Sequence, residues 1–127
     1  MSSLRVLAGG PLATVQDAGR PGLAHLGVGR SGAADRASLG QANRLLGNAE
    51  GVAAVEVTLG GLVLRAEGDV DLAVCGAPAE LAVRPAGASP WMAGPGTPLR
   101  LRAGDELALG VPPRGLRSYL AVRGGIA

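Results

Sequence analysis

Between Thr14 and Arg36 the chain reads T-V-Q-D-A-G-R-P-G-L-A-H-L-G-V-G-R-S-G-A-A-D-R, and Gln16, Asp17, Arg20, Arg30, Asp35 and Arg36 alternate there with glycines. Glycine lets a ligand approach the main chain, and the fork of guanidinium donors suits a planar carboxylate, carbamoyl or ureido group. The stretch is therefore a candidate anion- or amide-binding loop. A plainer reading stays open beside it, in which Asp17 and Asp35 only cap turns and the arginines are solvated. Gly27-Val28-Gly29-Arg30-Ser31-Gly32 also matches G-x-G-x-x-G ahead of a helix. A dinucleotide fingerprint needs a βαβ unit with further parallel strands, and the pattern after this helix is all β. What survives is a set of free amides and Arg30 near a helix start, an anion seat of another kind.

Other reactive residue types carry less. His25, between Ala24 and Leu26, reads as a packed and hydrogen-bonded residue. Cys75, in L-A-V-C-G-A, reads as a small buried side chain. No nucleophile elbow, Ser-His-Asp order or carboxylate pair is visible.

The elements that must position the loop follow from periodicity. Leu4–Leu7 and Ala13–Gln16 are short strands split by Gly9-Gly10-Pro11. Asp17 to Ala34 is a long glycine-punctuated loop, of the length that in a compact domain is functional or disordered; Leu23, Leu26 and Val28 argue against disorder. Asp35 is an N-cap for the main helix, Arg36–Leu46, within about 35–47. Leu39, Ala42, Leu45 and Leu46 form its apolar stripe, and Gly47 with Asn48 stops it. Val55–Leu59 and Leu62–Ala66, broken at Gly60-Gly61, predict a bent strand or tight hairpin. Val70–Val74, Glu80–Arg84, Pro98–Arg102, Glu106–Leu109 and Ser118–Val122 continue the strand-like runs. Leu72, Val74, Leu81, Val83, Leu99 and Leu101 recur every second residue, as one buried sheet face requires. About eight strands and one helix predict a mostly β fold, a barrel or sandwich closed against exposed edges.

Composition narrows the classes. With 127 residues the chain holds one domain. Hydrophobic residues make up 47%, nearly all Ala, Val and Leu, so the core gains its burial from many close contacts between small side chains. All 12 basic residues are Arg, which excludes Schiff-base lysines and a phosphate-loop lysine within the chain. A net charge of +2, interspersed acids and 2% aromatics leave neither a basic stripe nor a stacking platform, so no nucleic-acid partner is expected. One Cys excludes an internal disulfide, and no Cys/His cluster could hold a metal. There is no signal peptide or membrane-length apolar window, so a cytoplasmic protein is expected. The last residues, L-A-V-R-G-G-I-A, run from an apolar strand into a turn, as in a chain cut before a following domain.

The Thr14–Arg36 block, followed by A-N-R-L-L-G-N, V-E-V-T-L-G-G, A-V-C-G-A, R-A-G-D and G-L-R-S-Y-L-A-V-R-G-G-I, resembles the biotin-dependent carboxyltransferase family. That family includes allophanate hydrolase subunit 2-like proteins and the C subunit of bacterial 5-oxoprolinase, and the resemblance runs in order along the whole chain. It implies a cyclophilin-like closed β-barrel. It implies too that residues 1–127 are the N-terminal half of a protein whose related C-terminal half is absent here. The function it implies first is a component of ATP-dependent 5-oxoprolinase, which opens 5-oxo-L-proline to L-glutamate. The partners in that reading are the related B subunit and the separate A subunit of the same enzyme. Two alternatives accompany it: biotin-dependent carboxyl transfer to urea or a related amide, and a regulatory antagonist of a histidine-kinase inhibitor.

Under the resemblance, Arg20 and Arg30 would hold a carboxylate or carboxylated intermediate. Gln16 and Asp17 would orient a lactam or ureido group. Gly29, Ser31, Gly32 and Asp35 would line the substrate, with main-chain amides near Gly29–Gly32 stabilising oxyanion charge. The chain itself would bind no cofactor; ATP would serve the complex, and carboxybiotin would enter only in the second reading. Self-association through an exposed half-interface is expected. Family members often carry Thr at the position of Cys75, which argues against a catalytic thiol.

Overall fold

In the computed structural model, residues 3–19 and 32–126 are described, and their short apolar runs form ten strands with one helix. The order is β1 (Leu4–Gly9), β2 (Leu12–Gln16), α1 (Arg36–Leu45), β3 (Ala54–Thr58), β4 (Leu62–Ala66), β5 (Val70–Gly76), β6 (Leu81–Arg84), β7 (Trp91–Ala93), β8 (Leu99–Leu101), β9 (Glu106–Leu109) and β10 (Arg117–Val122). All pairings are antiparallel. They make two five-stranded sheets, β1-β4-β9-β6-β7 and β2-β3-β10-β5-β8. The mostly β class with a single helix is as expected, and two facing sheets are consistent with a flattened barrel.

The alternating leucines and valines line two facing sheets rather than one sheet face. Leu62, Leu64, Leu81, Val83, Leu107 and Leu109 of the first sheet meet Val57, Leu72, Val74, Leu99, Leu101 and Leu120 of the second. Each such side chain contributes about 1.5–3 kcal/mol when fully buried. Period-2 alternation marks an inward face but not the sheet that carries it, so the sequence could not separate the two.

The second sheet is covered on its other face as well. Leu39 and Ala42 of α1, with Leu46 at its C-cap, pack on Ala54, Ala73, Cys75, Tyr119 and Ala121. The alanines let the helix lie close to the strands. Asp35 caps α1, its Oδ1 accepting from the Ser38 amide at 3.1 Å and its Oδ2 from the Ser38 hydroxyl at 2.6 Å. The other end closes as a Schellman turn: Gly47 N donates to Arg44 O, Asn48 N donates to Asn43 O at 2.9 Å, and Gly47 has φ +75°. Buried Asn43 donates through Nδ2 to Glu50 O and Val52 O, and Asn48 Nδ2 donates to Val122 O. The A-N-R-L-L-G-N block thus ties the helix end to the approach to β3 and to the end of β10.

Two expectations need correction. Val55–Leu59 and Leu62–Ala66 are not a hairpin: β3 and β4 lie in different sheets, so Gly60-Gly61 is a corner that carries the chain from one sheet to the other. Gly9-Gly10-Pro11 does the same between β1 and β2. The corners meet, since a Cβ on Gly10 would lie 2.2 Å from Gly60 O and one on Gly60 would lie 2.1 Å from Gly110 O. Only glycine fits such an approach. The count of about eight strands also falls short, because β7 lies in a Pro- and Gly-rich stretch and spans three residues. No helix among the described residues is long and apolar enough to cross a membrane.

Candidate functional site

Strand register brings together residues far apart in sequence. On the helix-covered face of the second sheet, Thr14 of β2 pairs with Glu56 of β3, Glu56 with Tyr119 of β10, and Tyr119 with Cys75 of β5. Arg117, two residues before Tyr119, lies on the same face, diagonal to Glu56. The Tyr119 hydroxyl donates to Glu56 Oε2 at 2.6 Å and accepts from the Asp35 amide at 2.9 Å. The Ala34 amide donates to the same Glu56 oxygen at 2.9 Å. Glu56 therefore receives the chain where it enters α1, and Tyr119 bridges the two.

Glu56 and Tyr119 are both buried. Burial, then the hydrogen bond to Glu56, pushes the Tyr119 phenol up to about 12. At neutral pH it is a proton donor and not a base. The other Glu56 oxygen, Oε1, faces Arg117 Nε at 3.6 Å, beyond hydrogen-bonding distance. Beside these groups a cavity of about 280 Å³ is lined by Ala34, Asp35, Ala77, Gly115, Leu116 and Arg117. The arrangement can hold a small polar molecule between the start of α1 and the entry to β10.

The structure places the sequence-predicted residues unevenly. Arg20, Gly29, Arg30 and Ser31, with His25, lie outside the described residues. Asp17 sits at the stem of the loop: its Oδ1 accepts from Gly19 N at 2.8 Å and its carbonyl accepts from Ala33 N at 2.8 Å. Arg36 Nε donates to Ala18 O across the same stem at 2.9 Å. Gly32 closes it, since a Cβ there would lie 2.4 Å from Gly19 N. Gln16, at the end of β2, donates to Thr14 Oγ1 at 3.2 Å. Asp35 lines the cavity, yet both its oxygens are engaged by Ser38, whose hydroxyl and then amide hold the Asp35 carboxyl below its ordinary range. The turn-capping reading of Asp17 and Asp35 thus describes their observed bonds.

Cys75 is buried and free, and burial pushes its thiol up, as for an inert packed cysteine. No sequence motif singles out Glu56, Arg117 or Tyr119. Their signals were an acid inside the apolar run V-E-V, a lone tyrosine inside an apolar strand, and their place within the family blocks V-E-V-T-L-G-G and G-L-R-S-Y-L-A-V.

The class is a two-sheet β domain in which one helix covers a polar row and a small cavity lies at the helix start. The sequence model of the family described as "Carboxyltransferase domain, subdomain A and B" matches residues 26–127, and the chain belongs to that family. It is 41% identical over 123 residues to the 5-oxoprolinase C subunit of Escherichia coli, covering 97% of this chain and 38% of that protein. To the Haemophilus influenzae protein of the same name it is 40% identical, covering 89% of this chain and 35% of the relative. The crystal structure of Kluyveromyces lactis urea amidolyase superposes with a TM-score of 0.87 at 35% identity, over 97% of this chain and 7% of that one. The chain thus spans little more than a third of the two curated bacterial relatives. These likenesses are to proteins named as components of enzymes.

Proposed function

We propose that the chain is the N-terminal part of a protein like the C subunit of ATP-dependent 5-oxoprolinase, working with B- and A-type partner subunits to open 5-oxo-L-proline to L-glutamate. The observation that carries this reading is the 41% identity to a 5-oxoprolinase C subunit over 97% of the chain. In the ring opening, the lactam C–N bond breaks, water supplies the new carboxylate oxygen, and ATP hydrolysis drives the step. Arg20 and Arg30 hold the new carboxylate that forms as the lactam opens, and Gln16 and Asp17 orient the lactam. Main-chain amides near Gly29, Ser31 and Gly32 stabilise the oxyanion, with Asp35 fixing the end of the loop.

Partner contact is supported by the adjoining outer strands β1 and β2, which expose Val6, Leu7, Leu12 and Val15. Biotin-dependent carboxyl transfer to a urea-like amide is the second reading, favoured by the 35% identity to the urea amidolyase structure. The full-length protein co-purified with its partner subunits should form L-glutamate from 5-oxo-L-proline only when ATP is present. Carboxybiotin-dependent carboxylation of urea, without glutamate formation, would establish the second reading instead.

A further inference from the structure

We propose that the cavity between the start of α1 and residues 115–117 takes the carboxylate of a small organic acid, gripped by Arg117, with Glu56 as the residue that positions Arg117. The inference deepens the 5-oxoprolinase reading and rests on it only for the identity of the acid.

Arg117 differs from the other paired arginines. Arg5, Arg44, Arg65, Arg100 and Arg123 contact carboxylates at 2.6, 2.7, 3.0, 3.2 and 3.1 Å, whereas the Arg117–Glu56 pair stands at 3.6 Å. Arg117 Nε is buried without a hydrogen bond, and so is Thr58 Oγ1, on the residue directly across the β3–β10 ladder. These two atoms are enclosed by protein, so it is the partly exposed outer end of the guanidinium that can meet a ligand. The Glu56 side chain is only 10% exposed, and its Oε2 is taken by Tyr119 and Ala34. Glu56 is therefore fixed, and its charge holds the guanidinium at the cavity wall without using its donors.

The other ionisable group of the lining, Asp35, is engaged by Ser38, which leaves Arg117 as the group able to answer a ligand's charge. A guanidinium with free donors selects a planar carboxylate. Ala34, Ala77 and Leu116 supply apolar wall for a compact hydrocarbon body in an open cavity of about 280 Å³.

The test uses NMR titration of the full chain, following the Arg117 Nε–H resonance. The probes are cyclopentanecarboxylate, which has the acid without the lactam, and 2-pyrrolidinone, which has the lactam without the acid. Cyclopentanecarboxylate should shift the Arg117 signal and 2-pyrrolidinone should not. R117Q should weaken acid binding roughly ten- to a hundredfold. R117K, which keeps the charge but loses the fork, should weaken it less, and R100Q should leave it unchanged. Should R117Q not fold, R117K carries the test. Equal binding of both probes, or acid binding indifferent to R117K, overturns the site. If the assembled enzyme opens 5-oxoproline while R117K leaves acid binding intact, the site fails and the functional reading stands. If acids bind through Arg117 but the complex forms no glutamate, the reverse holds.

Discussion

Tyr119 and Glu56 face each other across the β10–β3 ladder, joined by a 2.6 Å hydrogen bond, and the same phenol accepts the amide of Asp35 at the start of α1. One side chain thus links two strands to the helix that covers them. Tyr119→Phe should remove both bonds and leave the Asp35 amide and a Glu56 oxygen short of a partner. The expected loss is about 1–3 kcal/mol in urea denaturation, with faster amide exchange at Asp35. A variant as stable as the parent would mean that the bridge contributes nothing net.

The phenol also predicts alkaline behaviour. Its folded pKa of about 12 lies above the ordinary 10.0, so the folded state holds its proton where the unfolded state has lost it. The contribution is whole below about pH 10 and lost as the pH rises towards about 12, on the order of 2–3 kcal/mol at most. Tyr119 is the sole tyrosine, so absorbance at the tyrosinate band reports it alone. Titration near 10 in the folded protein would contradict the buried pair.

At the acid side, Asp35 is stabilised as a carboxylate by Ser38, so its contribution is present above the unfolded pKa and lost as the pH falls through the lower folded value. Asp35→Ala should cost about 1 kcal/mol at neutral pH through loss of the N-cap, and the difference from the parent should shrink in acid. A gap that persists unchanged at low pH would assign the cost to something other than the carboxylate.

The corner glycines give a steric test. Gly60→Ala would drive its Cβ to 2.1 Å from Gly110 O at a φ of +65°, whereas Gly87→Ala meets nothing within 4 Å. We expect Gly60→Ala to lose more than about 2 kcal/mol and Gly87→Ala to stay within about 0.5 kcal/mol, read from thermal melts. Comparable melting of the two variants would rule out the close packing of the corners.

Asn43 should be among the costliest polar substitutions. Its Nδ2 serves two carbonyls and its Oδ1 accepts from Asn48. Asn43→Ala strands these groups in a buried site, for an expected loss of about 2 kcal/mol or more by chemical denaturation. Asn43→Asp, which keeps the shape and removes the donor, should be impaired as well.

The amino-acid sequence by itself determined the elements whose cause is local. Asp35 opens the helix because its carboxylate reaches the Ser38 amide, Gly47 closes it because it accepts a positive φ, and alternating leucines and valines mark strands because a pleat has period two. The Thr14–Arg36 run and the later blocks were also enough to indicate the family. Tertiary structure alone decided which sheet each strand joins, since Gly60-Gly61 is a corner and not a hairpin only because β3 and β4 pair with different neighbours. It also decided the site. Ala54, Glu56 and Thr58 look like the outward face of a strand, and only the packing of α1 over that face buries Glu56 and sets Tyr119 and Arg117 around it. Side-chain period is a local property; what covers a face, and which distant residues share it, is set by strand register and packing across the chain.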